Sequence, residues 1–301
     1  MHRRALREAN VSPKKSFGQN FLVAEGVARR IAEACVTDEE TGLARVVEIG
    51  AGLGALTLPL AERAREVIAI ERDRDLVPLL ERALVSLPAG RVRVLEADAR
   101  RVDFAALLGE GGAGSPRVLC GNLPYQITGR LLERAVSVAP WLDRAVFMVQ
   151  REVADRLVAR PSTKQYGALT VFVRAAFDVE RVTNVSRGCF HPPPDVTSTV
   201  VRLVALYPPR AEETPVFREL VKRAFMARRK TLRNAWSGVA SSGAELEQVA
   251  RACGVSLDAR GETLDVEAFA RVASRIAEGG SGGSGAPPLV GVRGGRTPRL
   301  T

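Results

Sequence analysis

Short apolar runs alternate with segments of helical apolar spacing over the first two thirds of the chain. The runs of strand length lie at residues 45–49, 66–71, 91–98, 117–121 and 145–149. The helical spacing predicts helices at 23–35, 128–139 and 152–159. Because strands that alternate with helices build parallel sheets, this pattern predicts an α/β fold with a mostly parallel, doubly wound, Rossmann-like sheet.

The pattern changes toward the carboxyl end of the chain. Residues 168–177 and 199–204 predict the last two strands, and the prolines at 208–209 mark a linker. The segments with helical spacing beyond it are 216–235, 244–251 and 266–277. From residue 278 onward Gly, Ser, Pro and Arg dominate, which predicts disorder. The expected parts are an α/β domain with an amino-terminal arm at 1–206, a helical domain at 207–277 and a disordered tail at 278–301.

The charge of the chain indicates a partner. The formal net charge is +10 and the isoelectric point is near 10.2. Such a balance is typical of nucleic-acid binding when the charge is clustered. Segment 218–233 holds seven basic residues and one acidic residue, and segment 1–18 holds five and one. A solvated basic face is the alternative, but the one-signed run favours phosphate contact.

The remaining composition argues against several classes of protein. The four cysteines are far apart with no Cys-x-x-Cys pair, and there are only two histidines, so neither a metal site nor a disulfide framework is predicted. No apolar run is long enough to span a bilayer, and the basic amino-terminal residues lack the apolar stretch of a secretory signal. We therefore expect a cytoplasmic protein without membrane contact.

A glycine-rich turn follows the first strand and opens a helix. Gly50 and Gly52 let backbone amides approach a ligand closely, and the helix start after them favours negative charge. The next strand ends at Glu71, 21 residues after Gly50, where an acid can bind both ribose hydroxyls. Strand, glycine turn, helix, strand and acid together predict a nucleotide-binding βαβ unit.

The sequence of this unit is compatible with two kinds of cofactor. Residues 50–55 also fit a dinucleotide fingerprint with alanine in third place, which would make the protein a dehydrogenase. Glu48, two residues before the first glycine, suits a cationic amino-acid group and suits pyrophosphate poorly. S-adenosylmethionine has no phosphate and carries a sulfonium and an ammonium. The methyltransferase interpretation is therefore favoured.

The strand at 117–121 ends in Asn122-Leu123-Pro124-Tyr125. Pro124 stiffens the backbone, so an amide and an aromatic ring are held at the sheet edge where α/β proteins bind ligands. This arrangement suits methylation of a planar exocyclic amine, because amide and carbonyl oxygens can accept the amine's protons while the ring stacks on the base. A turn with a buried tyrosine is the alternative.

Three further segments could complete such a site. Asp98 is placed to accept a hydrogen bond from an adenine amine, or else it caps the following turn. Phe190 precedes three prolines that hold the segment rigid, which favours a presented ring over core packing. Residues 12–22 predict an arm that either packs on the core or closes over a ligand, with Lys14 and Lys15 facing phosphate.

Taken together, these segments resemble the ribosomal RNA adenine dimethylases of the KsgA/RsmA type. The shared motifs occur in family order over roughly residues 12–275, and they are Phe17–Leu22, Glu48–Gly52, Asp98–Ala99, Asn122–Tyr125, Gln150–Val153, Tyr166–Gly167, Phe190–Pro194 and Arg228–Asn234. The resemblance implies that two methyl groups pass from S-adenosylmethionine to N6 of each of two adjacent adenosines, in the 3′-terminal hairpin of small-subunit (16S) ribosomal RNA. The Gly-rich residues 109–115 and the tail fall outside the pattern.

The resemblance also implies roles for particular residues. The cofactor would be bound by Asn20, Leu22, Gly50, Glu71, Asp98 and Asn122. The catalytic group would comprise Asn122, Leu123, Pro124, Tyr125 and Phe190. The RNA backbone would be bound by Lys14, Lys15, Lys222, Arg223, Arg228, Arg229, Lys230 and Arg233. The expected partner is the assembling small ribosomal subunit, and the expected state is a monomer.

Three alternatives share parts of this evidence. A large-subunit RNA adenine dimethylase has the same catalytic core, and a DNA adenine methylase performs the same chemistry on another nucleic acid. A ribosome-assembly factor could keep the fold without turning over. The intact Asn122–Tyr125 run argues against a loss of catalysis.

Overall fold

The computed structural model describes residues 13–14, 17–109 and 114–280 of the chain. The strands are β1 (Phe21–Leu22), β2 (Arg45–Ile49), β3 (Glu66–Glu71), β4 (Val92–Glu96), β5 (Arg117–Asn122), β6 (Arg144–Gln150), β7 (Phe177–Val185), β8 (Phe190–His191) and β9 (Ser198–Ala205). The helices are α1 (Glu25–Cys35), α2 (Thr57–Arg63), α3 (Val77–Leu84), α4 (Phe104–Gly109), α5 (Thr128–Ser137), α6 (Arg151–Leu157), α7 (Ala168–Ala176), α8 (Pro215–Met226), α9 (Leu232–Ala235), α10 (Gly243–Ala252) and α11 (Val266–Gly280).

A seven-stranded sheet with the order β4-β3-β2-β5-β6-β9-β7 forms the centre of the molecule. The first five of these strands pair in parallel, whereas β9 is antiparallel to both β6 and β7. β7 therefore runs in the same direction as β6, and the carboxyl ends of β2 to β7 lie at one edge, which we call the carboxyl edge. The predicted α/β class with a mostly parallel, Rossmann-like sheet is confirmed.

Alternate residues of β2 show how the sheet is covered on both faces. Val46 packs in the cluster that includes α1 and α2. Val47 and Ile49 pack in the cluster that includes α4, α5 and α6. Because both faces are buried, the strand is apolar at successive positions, which is the signature of a parallel sheet between two helix layers.

The close approach of β2 and β5 fixes the level at which Asn122 emerges. Gly121 pairs with Ile49, and a Cβ atom added at position 121 would lie 2.3 Å from the Ile49 carbonyl oxygen. Only glycine fits at this contact. Asn122 is therefore placed next to Gly50, where the glycine turn begins.

The predicted strand at 168–177 is wrong. This segment forms α7, and the strand β7 begins only at Phe177. α7 is apolar on nearly all sides because it lies between two cores: Val173 packs in the sheet core and Phe172 packs in the helical core. A short apolar run does not reveal its period, so a helix buried on two sides resembles a strand in the sequence.

The helical core is formed by α8 to α11 together with residues that precede them. Trp236 is fully buried in it, and its indole Nε1 donates to the Leu220 carbonyl at 2.9 Å. Tyr166, which precedes α7, donates its hydroxyl to the Leu264 carbonyl at 2.9 Å. The second core thus draws residues from before position 206, and the division there stays a prediction.

The predicted helix at 216–235 is interrupted. α8 ends at Met226 and α9 begins at Leu232, so the basic residues 228–230 lie in the connecting loop. The Leu232 N–H donates to the Ala259 carbonyl, and the Arg233 N–H donates to the Leu257 carbonyl, each at 2.8 Å. These tertiary bonds bind backbone groups that a continuous helix would use itself, which is why the local sequence did not reveal the break.

The arm contributes a strand that the sequence did not predict, since β1 pairs antiparallel with β8 just before the proline run. Residues 110–113 of the Gly-rich segment and residues 281–301 of the tail lie outside the described residues. The predicted disorder therefore stays untested over 281–301, whereas residues 278–280 belong to α11. No helix in the described part of the chain is long and apolar enough to cross a membrane.

Candidate active site

A cleft of about 1240 Å³, open mouth included, lies at the carboxyl edge of the parallel strands. Its walls come from the arm, the glycine turn, the ends of β3 and β4, and the segment that follows β5. All the residues predicted to bind the cofactor line it, and they are Asn20, Leu22, Gly50, Glu71, Asp98 and Asn122. Leu123, Pro124 and Tyr125 line the same cleft, so the fold brings the predicted cofactor and catalytic residues together.

The glycine turn and the Glu71 carboxylate hold each other in place. Gly50 has φ of 74°, a conformation that glycine adopts without strain. The Gly52 N–H donates to Glu71 Oε2 at 2.8 Å, and the N–H groups of Arg72 and Asp73 donate to Oε1 at 2.8 Å. Burial raises the pKa of Glu71, and these amides oppose the shift. A carboxylate accepts about four hydrogen bonds, so acceptor capacity remains for a ribose hydroxyl.

Glu48 is a buried acid in the wall of the cleft. Its side chain is 1% exposed, and burial raises the pKa of Glu48 to about 8; the Thr57 hydroxyl opposes the shift and the Glu71 charge adds to it. Among the described residues, no hydrogen bond of good geometry reaches Glu48 Oε2 or Thr57 Oγ1, although the Thr57 hydroxyl is close enough to lower the pKa of the carboxyl. A buried acid with such an open oxygen fits a cationic ligand group and disfavours a pyrophosphate. The cleft therefore suits a sulfonium cofactor better than a dinucleotide.

Asp98 lines the cleft and also caps its own turn. It accepts the Arg100 N–H at 3.0 Å and the Arg100 guanidinium at 2.5 to 3.1 Å. Hydrogen bonding to Arg100 lowers the pKa of Asp98 to about 2. The capping interpretation is thus confirmed. The contact with an adenine amine stays a prediction, because Arg100 already uses both carboxylate oxygens.

Asn122 is oriented by the arm. Its Nδ2 donates to the Asn20 carbonyl at 3.0 Å, which leaves Oδ1 as the acceptor of the amide. The Pro124 carbonyl already accepts from the Ile127 N–H at 3.1 Å and from the Thr128 hydroxyl at 3.0 Å. Among the described residues, no hydrogen bond outside the helices and strands reaches the Leu123 carbonyl, so of the two backbone carbonyls considered from the sequence it is the better candidate acceptor.

Tyr125 is half-buried at the cleft and is held by a residue that sequence reasoning missed. Its hydroxyl lies 2.8 Å from Ser198 Oγ, and Ser198 is itself 1% exposed. Burial raises the pKa of Tyr125, against the opposing hydrogen bond. The only signal for Ser198 was its place near the head of the last predicted strand. Its contact with Tyr125 depends on β9 pairing beside β6, which the sequence does not show.

The prediction of a presented Phe190 ring is wrong. The side chain is 1% exposed and packs in an apolar cluster with Leu22, Met148 and Val200. The backbone of Phe190 pairs with Leu22, so the segment before the prolines joins the arm to the core. The Phe190 ring is therefore part of the core where the arm joins it, and it does not line the cleft.

Lys14 forms an ion pair within the protein, and its predicted phosphate contact stays a prediction. Lys14 Nζ lies 2.5 Å from Asp73 Oδ1 and 2.6 Å from Asp75 Oδ2, and these partners raise the pKa of Lys14. Gln19 Nε2 donates to Asp73 Oδ2 at 2.7 Å. The arm is thereby fastened to the loop after β3. Lys15 lies outside the described residues, and its predicted contact stays untested.

The basic segment 218–233 is less cationic in the fold than in the sequence. Three of its predicted RNA-binding residues form ion pairs within the protein, and these are Arg223–Glu219, Arg228–Glu262, Arg233–Glu247 and Arg233–Asp258. Three of these four acids come from outside the segment, so counting its own charges overlooked them. Among the described residues, no ion pair or hydrogen bond reaches the side chains of Arg229 and Lys230, while Lys222 acts on Glu213 through its charge.

Comparison with known proteins agrees with this geometry. The chain matches the family model described as ribosomal RNA adenine dimethylase over residues 10–278. A curated relative from Geobacter metallireducens, named ribosomal RNA small subunit methyltransferase A, is 40% identical over 269 residues, which are 88% of this chain and 96% of the relative. A protein of the same name from Anaeromyxobacter sp. strain K is 42% identical over 278 residues, 89% of this chain and 95% of the relative.

Two solved structures are similar in fold. A dimethyladenosine transferase from Plasmodium falciparum has a TM-score of 0.71 at 24% identity and covers 86% of this chain and 98% of its own. The 23S rRNA methyltransferase ErmE has a TM-score of 0.63 at 27% identity, with 86% and 100% covered. Because the family model spans most of its length, this chain belongs to the ribosomal RNA adenine dimethylases, enzymes that take their methyl groups from S-adenosylmethionine.

Proposed function

We propose that this enzyme dimethylates N6 of two adjacent adenosines in the 3′-terminal hairpin of small-subunit ribosomal RNA, and that it acts as a cytoplasmic monomer during small-subunit assembly. The observation that supports this most is Asn122, whose acceptor oxygen lies in a cleft lined by acids suited to a cationic methyl donor. Relatives of 40% and 42% identity that are named small-subunit methyltransferases favour the small subunit over the large one.

The cofactor fits the residues of the cleft. When bound, S-adenosylmethionine supplies an electrophilic methyl group on a sulfonium. Glu71 is placed to accept from the ribose hydroxyls, and the buried Glu48 carboxyl offers an unpartnered oxygen to the cationic amino-acid end. Asn20 and Leu22 of the arm line the same cleft, and the bond from Asn122 to Asn20 joins cofactor wall to catalytic loop.

Asn122 raises the nucleophilicity of the adenine amine. The N6 lone pair is delocalised into the ring, which makes the free amine a poor nucleophile. When Asn122 Oδ1 and the Leu123 carbonyl accept hydrogen bonds from the N–H groups of the amine, the nitrogen pyramidalises and the lone pair becomes localised. Both oxygens are fixed dipoles that stabilise the positive charge developing on nitrogen, an electrostatic contribution to the rate. The methylated cation then loses a proton to water, so no strong general base is required.

Tyr125 positions the base for this step. The target adenine must leave its stack to enter the cleft. The Tyr125 ring can stack on it, with about 1–3 kcal/mol per base–aromatic contact. The hydrogen bond to the buried Ser198 fixes the position of the ring before the base arrives, and this lowers the cost of ordering it.

The test is methyl transfer from labelled S-adenosylmethionine to small ribosomal subunits that lack this modification, followed by mapping of the labelled nucleotides. We expect four methyl groups on two adjacent adenosines near the 3′ end of the RNA. Label at one adenine of large-subunit RNA, or on DNA, would replace the proposal with the corresponding alternative. Binding to the subunit without transfer would indicate an assembly factor without turnover.

A further inference from the structure

Two exposed arginines flank the catalytic loop at the carboxyl edge, and no role was predicted for either of them. Arg130 lies in the first turn of α5 and Arg151 is the first residue of α6. The turn that carries Arg130 is fixed to the catalytic loop, because the Thr128 hydroxyl donates to the Pro124 carbonyl at 3.0 Å. The backbone of Arg130 is therefore held two residues from a fixed contact with Pro124, which lines the cleft.

Arg151 is tied to the other side of the same loop. Its N–H donates to the Thr197 carbonyl at 3.0 Å. The neighbouring Ser198 pairs with Gln150 in the sheet and holds the Tyr125 hydroxyl at 2.8 Å. Since β5 and β6 are adjacent parallel strands, the helices α5 and α6 that carry the two arginines both begin at the carboxyl edge, beside the segment that lines the cleft.

Neither guanidinium has a partner in the part of the chain that the structure describes, since no hydrogen bond or ion pair there reaches the side chain of Arg130 or Arg151. This contrasts with Arg223 and Arg233, which are paired with carboxylates. A paired arginine must release its carboxylate before it contacts a phosphate, whereas an unpaired one neutralises phosphate and releases counterions without that cost.

The acids closest in sequence to Arg151 are already neutralised. Glu152 pairs with Arg156, and Asp155 pairs with Arg181. Asp195, in the proline loop, is an exposed acid near this edge, and no ion pair joins it to either arginine among the described residues. The rim next to the catalytic loop therefore keeps a positive charge that is available to a ligand.

We propose that Arg130 and Arg151 bind the backbone phosphates of the RNA strand on the two sides of the extruded adenosine. This inference rests on the proposed function, since it concerns the substrate of the same site. An adenosine that leaves its stack carries a phosphate on each side, and these phosphates reach the rim when the base enters the cleft. Arginine suits them because its planar guanidinium donates two parallel hydrogen bonds to a phosphate.

The experiment compares Arg130→Ala and Arg151→Ala with Arg65→Ala as a matched control. Arg65 is also exposed and has no side-chain partner among the described residues, but it immediately precedes β3, at the opposite edge of the sheet. Binding of unmodified small-subunit RNA is measured at several salt concentrations, together with kcat, KM and cofactor affinity. Each rim variant is expected to reduce the salt slope by about 0.7 to 0.9 and to raise KM, with kcat and cofactor affinity retained.

Arg130→Lys and Arg151→Lys keep the charge, and they are expected to recover the slope while losing part of the affinity. Rim variants whose slope and KM equal those of Arg65→Ala would overturn the inference, as would a loss confined to kcat. Failure of the proposed function is distinguishable, because it appears as absent or misplaced methylation by the unaltered enzyme, whatever the slopes of the variants.

Discussion

The cleft and the helical core differ in whether their buried polar groups have hydrogen-bond partners. In the helical core, Trp236 and Tyr166 each donate to a backbone carbonyl at 2.9 Å. In the cleft, the buried Glu48 keeps an oxygen without a partner among the described residues, and Asn122 uses only its donor side on the arm. A buried polar atom without a hydrogen bond costs about 1–3 kcal/mol, so the open Glu48 oxygen lowers the free energy of unfolding of the free protein.

Polar groups with internal hydrogen bonds stabilise the fold, whereas polar groups without them in the cleft are available to bind a ligand. The same contrast applies to charge. Arg233 is paired with acids of the helical unit, whereas Arg130 at the cleft rim is unpaired among the described residues. A polar or charged group left without a partner beside a cleft is therefore a better sign of function here than the density of charge along the sequence.

The largest expected effect concerns Phe190, which the sequence placed in the active site and the structure places in the core. Phe190→Ala empties a site in the core and is expected to lower the free energy of unfolding by about 3–5 kcal/mol. Tyr125→Ala, at a half-buried ring, should destabilise the fold much less and instead reduce methyl transfer. Urea unfolding and transfer assays on both variants measure the contrast. A Phe190→Ala protein of normal stability but reduced transfer would restore the stacking interpretation.

Asn122→Ala removes the acceptor that we propose polarises the amine. Because its role is confined to the transition state, kcat is expected to fall about 10²–10³-fold, the typical loss for one such electrostatic group. RNA affinity should be nearly unchanged, since the phosphate contacts lie elsewhere. Single-turnover transfer and RNA binding at fixed salt separate the two quantities. Near-normal turnover would contradict the assignment.

Glu48 makes cofactor binding depend on pH. Below about pH 8 the carboxyl of the free protein is protonated, so a cationic ligand must displace that proton and binds about tenfold more weakly per pH unit of acidification. Glu48→Gln should bind the cofactor weakly and without this slope. Titration calorimetry in buffers of different ionisation enthalpy detects the released proton. Equal pH dependence in both proteins would count against the role of Glu48.

The raised pKa of Glu48 also determines the direction in which the stability of the free protein changes with pH. Between the ordinary pKa of 4.5 and about 8, the unfolded chain loses the Glu48 proton while the folded chain keeps it. The free energy of unfolding therefore decreases as pH rises through this window and levels off above it. Glu48→Gln should remove this part of the pH dependence, which urea unfolding between pH 5 and 9 would measure.

The smallest expected effect tests the contrast between paired and unpaired charge. In Arg229→Ala combined with Lys230→Ala, the slope of log K against log salt concentration for RNA binding should become less steep by about 1.4 to 1.8, which corresponds to two phosphate contacts. Arg233→Ala should change this slope by less than the value for one phosphate contact, because its guanidinium is paired with Glu247 and Asp258. An equal loss per residue in the two proteins would show that the ion pairs open on binding and would support the predicted phosphate contact of Arg233.

Local patterns were sufficient where function depends on a short segment. The glycine turn, Glu71 and the Asn122–Tyr125 run could be placed at one sheet edge because parallel strands bring their carboxyl ends together. The strand at 168–177 could not be corrected from the sequence, since α7 owes its apolar residues to two separate cores. The break before Leu232 likewise depends on a bond to Ala259, a residue distant in the chain.

By itself the sequence determined the fold class, because the alternation of strand-length and helical apolar patterns extends over most of the chain. It also predicted the cofactor unit and the catalytic loop, because each is encoded within a few consecutive residues. Only the tertiary structure decided which side chains are available. It buried Phe190, paired Lys14 with Asp73 and Asp75, and left Arg130 unpaired among the described residues. The physical reason is that burial and charge pairing depend on neighbours from distant segments, and a sequence does not show them.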